Sequence, residues 1–205
     1  MMEQRTEEWL EWLQARVGHI TGSRMADVIA KIKTGEAQSR SNYKLQLVTE
    51  RLTGQPVQTY FNNIMQQGID REPDARMLYE LEKKIDVEEV GFLKHSNISW
   101  SGVSVDGLVG DDGIIEIKSP LETTHTNTLM KKQAPSKYIP QMQWGMSVTK
   151  RKFCDFVSYN PSFPEDLQLY IVRVERDDDY IKMLETEVIK FNDEIEQMLN
   201  SIKEK

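Results

Sequence analysis

Gly102-Val-Ser-Val-Asp106-Gly-Leu-Val109, followed after an acidic turn by Gly113-Ile-Ile-Glu116-Ile-Lys118-Ser-Pro120, is the stretch from which the rest of the chain can be read. Asp-Gly pairs between apolar runs signal a hairpin, so two short strands joined through Gly110-Asp-Asp-Gly113 are expected here. On the second strand, side-chain alternation turns Ile115 and Ile117 to one face and Glu116 and Lys118 to the other. Asp106, taken as part of the first strand, can then place its carboxylate beside that of Glu116. Two anions held together favour a divalent cation, and oxygen ligands suit Mg2+ or Mn2+. A lysine next to such a pair can position or deprotonate a water, which metal-assisted hydrolysis of a phosphodiester requires.

On its own, Glu-x-Lys on a strand is the ordinary pattern of a solvated face with a cross-strand ion pair. Its neighbours, Ser104-Val-Asp-Gly before it and Ser119-Pro after it, shift the balance toward chemistry. In this order the Asp…Glu-x-Lys set resembles the active-site pattern of a large nuclease superfamily that includes many restriction enzymes.

With 205 residues the chain suffices for one substantial domain, spanning 1–205, and is short for two. Its hydrophobic content of 39% and charged content of 29% are those of an ordinary soluble globular protein. No apolar run is long enough to span a membrane, and the polar N-terminus carries no apolar signal segment. Cys154 is the only cysteine, which excludes an internal disulfide and a four-cysteine metal or cluster site, and a reducing cytoplasm is expected. The net charge of −7 argues against a protein that coats nucleic acid non-specifically, while leaving room for a local basic groove.

Upstream, residues 6–16 read as a helix capped by Thr6, with Trp9, Trp12, Leu13 and Arg16 on one face. Gly18-His-Ile-Thr-Gly-Ser23 ends it, and Ser23 is expected to cap a further helix reaching Lys31. A helix N-terminus there, with Arg16, Lys31 and Lys33 nearby, would make a phosphate pocket. A polar loop over 34–41 leads to a helix over 42–52, ended by Gly54, with Tyr43, Leu47, Val48 and Leu52 inward. A long helix over 69–84 is expected to bury Leu78, Tyr79 and Leu81, with Glu72 and Arg76 as an ordinary exposed pair. Strands are expected over 87–93 and 98–100.

Downstream come a helix over 123–130 and another from Pro135, with Pro140 in its first turn and Gln141 on the packed face of Trp144, Gly145 and Val148. Strands over 152–158 and 167–174 follow. Asp177 should cap a last amphipathic helix whose stripe is Ile181, Leu184, Val188, Phe191, Ile195 and Met198. This order predicts an α/β domain with a central mixed β-sheet covered by helices on both faces.

Several motifs now stand in sequence: Trp12-x-x-x-Arg16 and Ile20-Thr-Gly-Ser23; Gly68-x-x-x-Glu72-x-x-Ala-Arg76; Ser104-x-Asp106-Gly-Leu108; Glu116-Ile-Lys118-x-Pro120; and Tyr138-x-x-Gln141-x-Gln143-Trp144 with Val148-Thr-Lys150. Together, from about residue 9 to 160, they resemble the lambda-type phage exonucleases, the nuclease component of phage recombination systems. The resemblance implies a restriction-endonuclease-like core. It implies a processive, Mg2+-dependent 5′-to-3′ exonuclease that degrades one strand of double-stranded DNA from its ends and leaves a 3′ overhang. It further implies two Mg2+ ions, replaceable by Mn2+, a toroidal homotrimer around DNA, and a single-strand annealing protein as partner. The compartment implied is the cytoplasm, that of a host cell if the chain is phage-encoded.

Carried over residue by residue, the resemblance has Asp106, Glu116 and the Ile117 carbonyl hold metal. Lys118 would orient or activate the attacking water with help from Gln141, and Glu72 would lie beside the metals, through water or directly. Arg16 would grip the phosphate near the scissile bond, Ser23 and Lys33 the terminal 5′-phosphate, and Trp12 with Met65 would part the terminal base pair. The chain departs from the family at Lys33, where the family has arginine, and at Gly22, where it has a small alanine. A shorter loop over 35–42 leaves the remaining wedge residue unassigned. Two other readings stay open: an endonuclease or junction resolvase on the same core, and a catalytically idle DNA-binding scaffold. A covalently closed circle separates the first, and Asp106→Ala and Lys118→Ala the second.

Overall fold

The computed structural model describes residues 7–57 and 63–204, without the side chains of residues 8 and 63–65. In chain order it contains α1 (Glu7–Arg16), β1 (Ile20–Thr21), a 3-10 turn (Gly22–Arg24), α2 (Met25–Val28), α3 (Gln38–Thr53) and α4 (Asn63–Lys83). Then come β2 (Val87–Glu88), β3 (Leu93–Lys94), β4 (Ser101–Val103), β5 (Gly107–Val109), β6 (Gly113–Lys118) and α5 (Glu122–Lys131). A 3-10 turn (Ser136–Tyr138), α6 (Ile139–Thr149), β7 (Phe153–Tyr159), a 3-10 turn (Glu165–Leu167), β8 (Leu169–Glu175) and α7 (Asp178–Lys203) complete it. These elements form two units, one of Met1–Gln58, Gly91–Ser104 and Asp177–Lys205, the other of Thr59–Val90 and Val105–Arg176.

In the second unit a five-stranded sheet runs in the order β2-β5-β6-β7-β8. β5 and β6 form the expected hairpin, and Gly110 at its turn has φ +52, a conformation open to glycine at no steric cost. β6 pairs in parallel with β7, with α5 and α6 as the crossover, and β8 returns antiparallel to β7. The sheet is therefore mixed. Its two faces follow the alternation of β6. Ile115 and Ile117 pack with Val157, Tyr159 and the Ala75 and Tyr79 side chains of α4. On the opposite face, Tyr138 stacks on Phe156 (centroids 5.6 Å apart) and His125 bonds Ser158. A Cβ on Gly145 of α6 would come within 2.8 Å of Ile114 Cδ1, so the glycine sets how closely that helix approaches.

The first unit packs α7 against α3 and α2, beside a small sheet of order β1-β4-β3. The α7 stripe is as expected through Ile195, with Ile181, Leu184, Val188, Phe191 and Ile195 buried, but it ends on the buried Leu199 while Met198 is half-buried, and Asp177 accepts from the Tyr180 N–H (2.9 Å) as its cap. Between α3 and α7, Arg40 and Lys44 share the carboxylates of Glu36 and Glu194.

Several expectations are corrected. Residues 102–109 are not one strand: β4 belongs to the small sheet and β5 to the large one, with the break at 104–106. Ser23 caps nothing, because it lies inside a 3-10 turn, and the following helix has Arg24 at its N-cap and ends at Val28. α3 begins four residues earlier than expected, since Arg40 finds partners on α7 that make helix favourable there. Leu52 and Leu81 are exposed, and Ile98–Trp100 is a turn rather than a strand. Thr6 and the Met65 side chain lie outside the described residues.

Candidate active site

Asp106 stands one residue ahead of β5 rather than on it, where the register of Gly107 with Ile115 continues to place it opposite Glu116. Its Oδ2 accepts the Ile117 N–H (2.6 Å), so a side chain completes the ladder where the strand backbone stops. Glu116 points to the α6 face and is almost wholly buried. Its Oε1 accepts from Gln141 Nε2 (2.6 Å) and is also ion-paired with Lys118 Nζ. The Lys118 ammonium lies 5.6 Å from the Tyr138 ring centroid. Glu72, on α4, accepts from Arg76 Nη2 (2.7 Å), whose Nη1 reaches Glu89 (2.6 Å). The pair is therefore partly buried and three-membered, not the isolated surface pair the spacing suggested. Sequence reasoning missed Glu89, for which no local signal exists, and Tyr138, which was quoted within a motif but given no role.

The electrostatics are those of an acidic cluster short of positive charge. Burial, eased by Lys118 and reinforced by Asp106, pushes Glu116 up to about 7. Burial and then Asp106 push Glu72 up to about 6, against the pull of Arg76 and Lys118. Burial alone would lower Lys118, but Glu116 and Asp106 outweigh it and keep the ammonium charged. Among the described residues no group of three His, Cys, Asp or Glu side chains forms a metal site as it stands. The donor chemistry nevertheless suits a hard divalent ion: two carboxylates meet, a backbone carbonyl follows Glu116, and the mutual repulsion of the acids is what a cation would relieve.

The five candidates Glu72, Asp106, Glu116, Lys118 and Gln141 all belong to the second unit. Trp12, Arg16, Ser23 and Lys33 belong to the first. There, the Arg16 guanidinium lies 4.2 Å from the Trp12 ring centroid and donates to Ser104 Oγ (2.8 Å), contacts that hold it on the face expected of α1. Burial lowers the Arg16 pKa, opposed by Tyr43 and Glu50. Ser23 and Lys33 are exposed, and among the described residues neither is bonded to Arg16.

Comparison with protein-family models matches residues 11–152, more than half of the chain, to the YqaJ-like viral recombinase domain. The chain belongs to that family. Among solved structures, the YqaJ-like chain is similar to an alkaline exonuclease (LHK-Exo) from Laribacter hongkongensis at 44% identity and a TM-score of 0.88, over 95% of this chain and 96% of that one. The same exonuclease in complex with dAMP matches at 45% identity and a TM-score of 0.89, with the same coverage. A phage related exonuclease from Haemophilus somnus 129PT shares only 15% identity at a TM-score of 0.71, over 90% of this chain and 96% of that one, and speaks to the fold alone. No curated protein sequence matches. The restriction-endonuclease-like core expected from the sequence is thus the fold of this YqaJ-like domain, and every candidate residue falls inside the matched span.

Proposed function

We propose that this YqaJ-like protein is a DNA exonuclease that uses Mg2+ to degrade one strand of duplex DNA processively from its 5′ end, leaving a 3′ overhang. The observation that carries this reading is the meeting of half-buried Asp106 and Lys118 with buried Glu116 on neighbouring β segments, in a chain 44% identical to an alkaline exonuclease. Asp106, Glu116 and the Ile117 carbonyl would hold the divalent ion, which when bound supplies electrophilic activation of the phosphodiester. Lys118, kept charged by its acidic neighbours, acts as a donor that orients the attacking water and not as a base. Gln141 fixes the Glu116 carboxylate. Glu72, beside the cluster and paired with Arg76, is placed to take up the proton of that water. Attack in line on phosphorus forms the new P–O bond as the bond to the 3′ oxygen breaks, releasing a deoxynucleoside monophosphate. The dAMP held by the similar exonuclease is of that class. Because Glu116 ionises only around pH 7, cleavage should favour the alkaline side.

Arg16, Ser23 and Lys33 would hold backbone and terminal 5′-phosphates through side chains alone, since no helix N-terminus is present at Ser23. Trp12 and Met65 would part the end base pair. The whole chain serves as one exonuclease domain, whose polypeptide passes between the two units four times. A toroidal homotrimer, a single-strand annealing partner, a second bound ion and a cytoplasmic location complete the proposal, on the strength of family membership. Digestion of a linear duplex labelled at either end tests it, with 5′-phosphoryl and 5′-hydroxyl ends and a covalently closed circle alongside. Mononucleotides should come from the 5′-phosphorylated end in Mg2+ and not in chelator, and the circle should stay intact. Cutting of the circle would assign the site to an endonuclease.

A further inference from the structure

The 3-10 turn ahead of α6 and the first turn of α6 bring two side chains to one ion pair. Gln141 Nε2 donates to the Glu116 carboxylate (2.6 Å), and the ring of Tyr138 lies 5.6 Å from the Lys118 ammonium with which Glu116 is paired. Residues three apart on a helical segment share a face, so a single turn reaches both ends of the pair. The turn is fixed by its own chemistry. Tyr138 N–H donates to the Pro135 carbonyl (3.0 Å), and the buried Pro140 at the start of α6 presets its φ.

The ring is itself supported by the sheet. It stacks on Phe156 of β7 (centroids 5.6 Å, planes 25° apart), a buried side chain that lies beside Glu116 in the strand register. Tyr138 is half-buried, and its hydroxyl makes no hydrogen bond among the described residues. The contacts that hold this tyrosine therefore act through its ring. Lys137 also approaches the ring (4.7 Å), from an exposed position.

We infer that Tyr138 is a positioning residue for the proposed nuclease, its ring holding the Lys118 ammonium over the site by cation–π attraction while leaving the N–H donors of the lysine to the attacking water. The inference rests on the reading of Lys118 as the donor to that water. A carboxylate set against an ammonium takes up a donor, and Glu116, which does so here, is committed to the divalent ion in the proposed function. The quadrupole of an aromatic ring attracts the charge whichever way the N–H bonds point. That attraction grows as the ammonium is desolvated, and Lys118 is only 28% exposed. Lysine carries a long flexible stem, so a charge that must wait for water needs such a rest.

Steady-state digestion of linear duplex ends in Mg2+ tests this by separating kcat from KM. Tyr138→Leu should lower kcat about tenfold with KM moved by less than about twofold, and Tyr138→Phe should stay within about threefold of the parent. Tyr138→difluorophenylalanine and Tyr138→trifluorophenylalanine keep nearly the phenylalanine shape but drain the ring face of negative charge, and should lower kcat again in that order. Lys137→Met should leave kcat unchanged. Urea unfolding reads the same contact without activity: the phenylalanine variant should be more stable than the trifluorophenylalanine one, and the difference should vanish in Lys118→Met. The inference is overturned if the fluorinated variants cleave as Tyr138→Phe does, which would make the ring a filler, or if Tyr138→Phe is as slow as Tyr138→Leu, which would assign the role to the hydroxyl. It is equally overturned if Lys137→Met reproduces Tyr138→Leu, or if the unfolding difference survives in Lys118→Met. A parent that leaves linear DNA intact would sink the nuclease reading and this role with it, while the unfolding comparison would still decide the contact.

Discussion

Raising the pH from 6 to 8 should tighten divalent-cation binding by the DNA-free protein about tenfold, because Glu116 must lose its proton before an ion can enter. With its pKa at about 7, Glu116 is about 9% ionised at pH 6 and about 91% at pH 8, a tenfold ratio equivalent to about 1.4 kcal/mol. Glu72, at about 6, adds at most about a factor of two over the same interval. The sign for stability follows from the same shift. An acid whose folded pKa lies above its ordinary value of 4.5 binds more protons folded than unfolded, so the cation-free fold loses stability as pH rises from about 4.5 to about 7 and no further above that. The loss from Glu116 is about 3 kcal/mol, and added Mg2+ should recover most of it at the high-pH end. Calorimetric titration of Mg2+ at the two pH values measures the first effect, and thermal unfolding with and without chelator the second. Glu116→Gln should weaken binding and remove all but the residual factor from Glu72. Equal dissociation constants at pH 6 and 8, or a tenfold dependence surviving in Glu116→Gln, would refute the account of the cluster.

Lys118→Ala should lower cleavage of linear duplex by about 100-fold or more while leaving DNA-end binding measurable, and retained cleavage would remove Lys118 from the mechanism. Gly107→Ala should destabilise by about 1–3 kcal/mol in urea unfolding, because its Cβ would fall 2.1 Å from Val87 Cγ1. Val87→Ala in the same chain should restore part of that loss, and no rescue would mean the crowding lies elsewhere. Burial alone would raise Glu194, yet Arg40 and Lys44 hold it down at about 2. Its contribution is therefore complete above about pH 4.5 and is lost as pH falls toward 2. Glu194→Gln should flatten this acid limb by about 1–2 kcal/mol, allowing for its 25% exposure, and an unchanged limb in thermal unfolding would count against the network.

Periodicity alone assigned the two faces of β6, the α7 stripe through Ile195 with its Asp177 cap, and the Gly54 stop after α3, and all of these stand in the structure. Each depends on bonding and side-chain direction within a few residues, which is information the local chain carries. The same information could not say that residues 102–109 divide between two sheets, because pairing partners for β4 lie at 20–21 and 93–94 and those for β5 at 87–88 and 113–115. Nor could it say that Leu81 would stay exposed although Tyr79 is wholly buried, since a helix's apolar stripe is wider than the surface offered to it. Asp106, Glu116 and Lys118 were legible as residue types at a spacing. That Gln141 bonds Glu116 across 25 residues, and that burial with Asp106 raises Glu116 to about 7, was decided by the packing of α6 on the sheet. Desolvation and charge proximity belong to the assembled interior, and they have no counterpart in the unfolded chain.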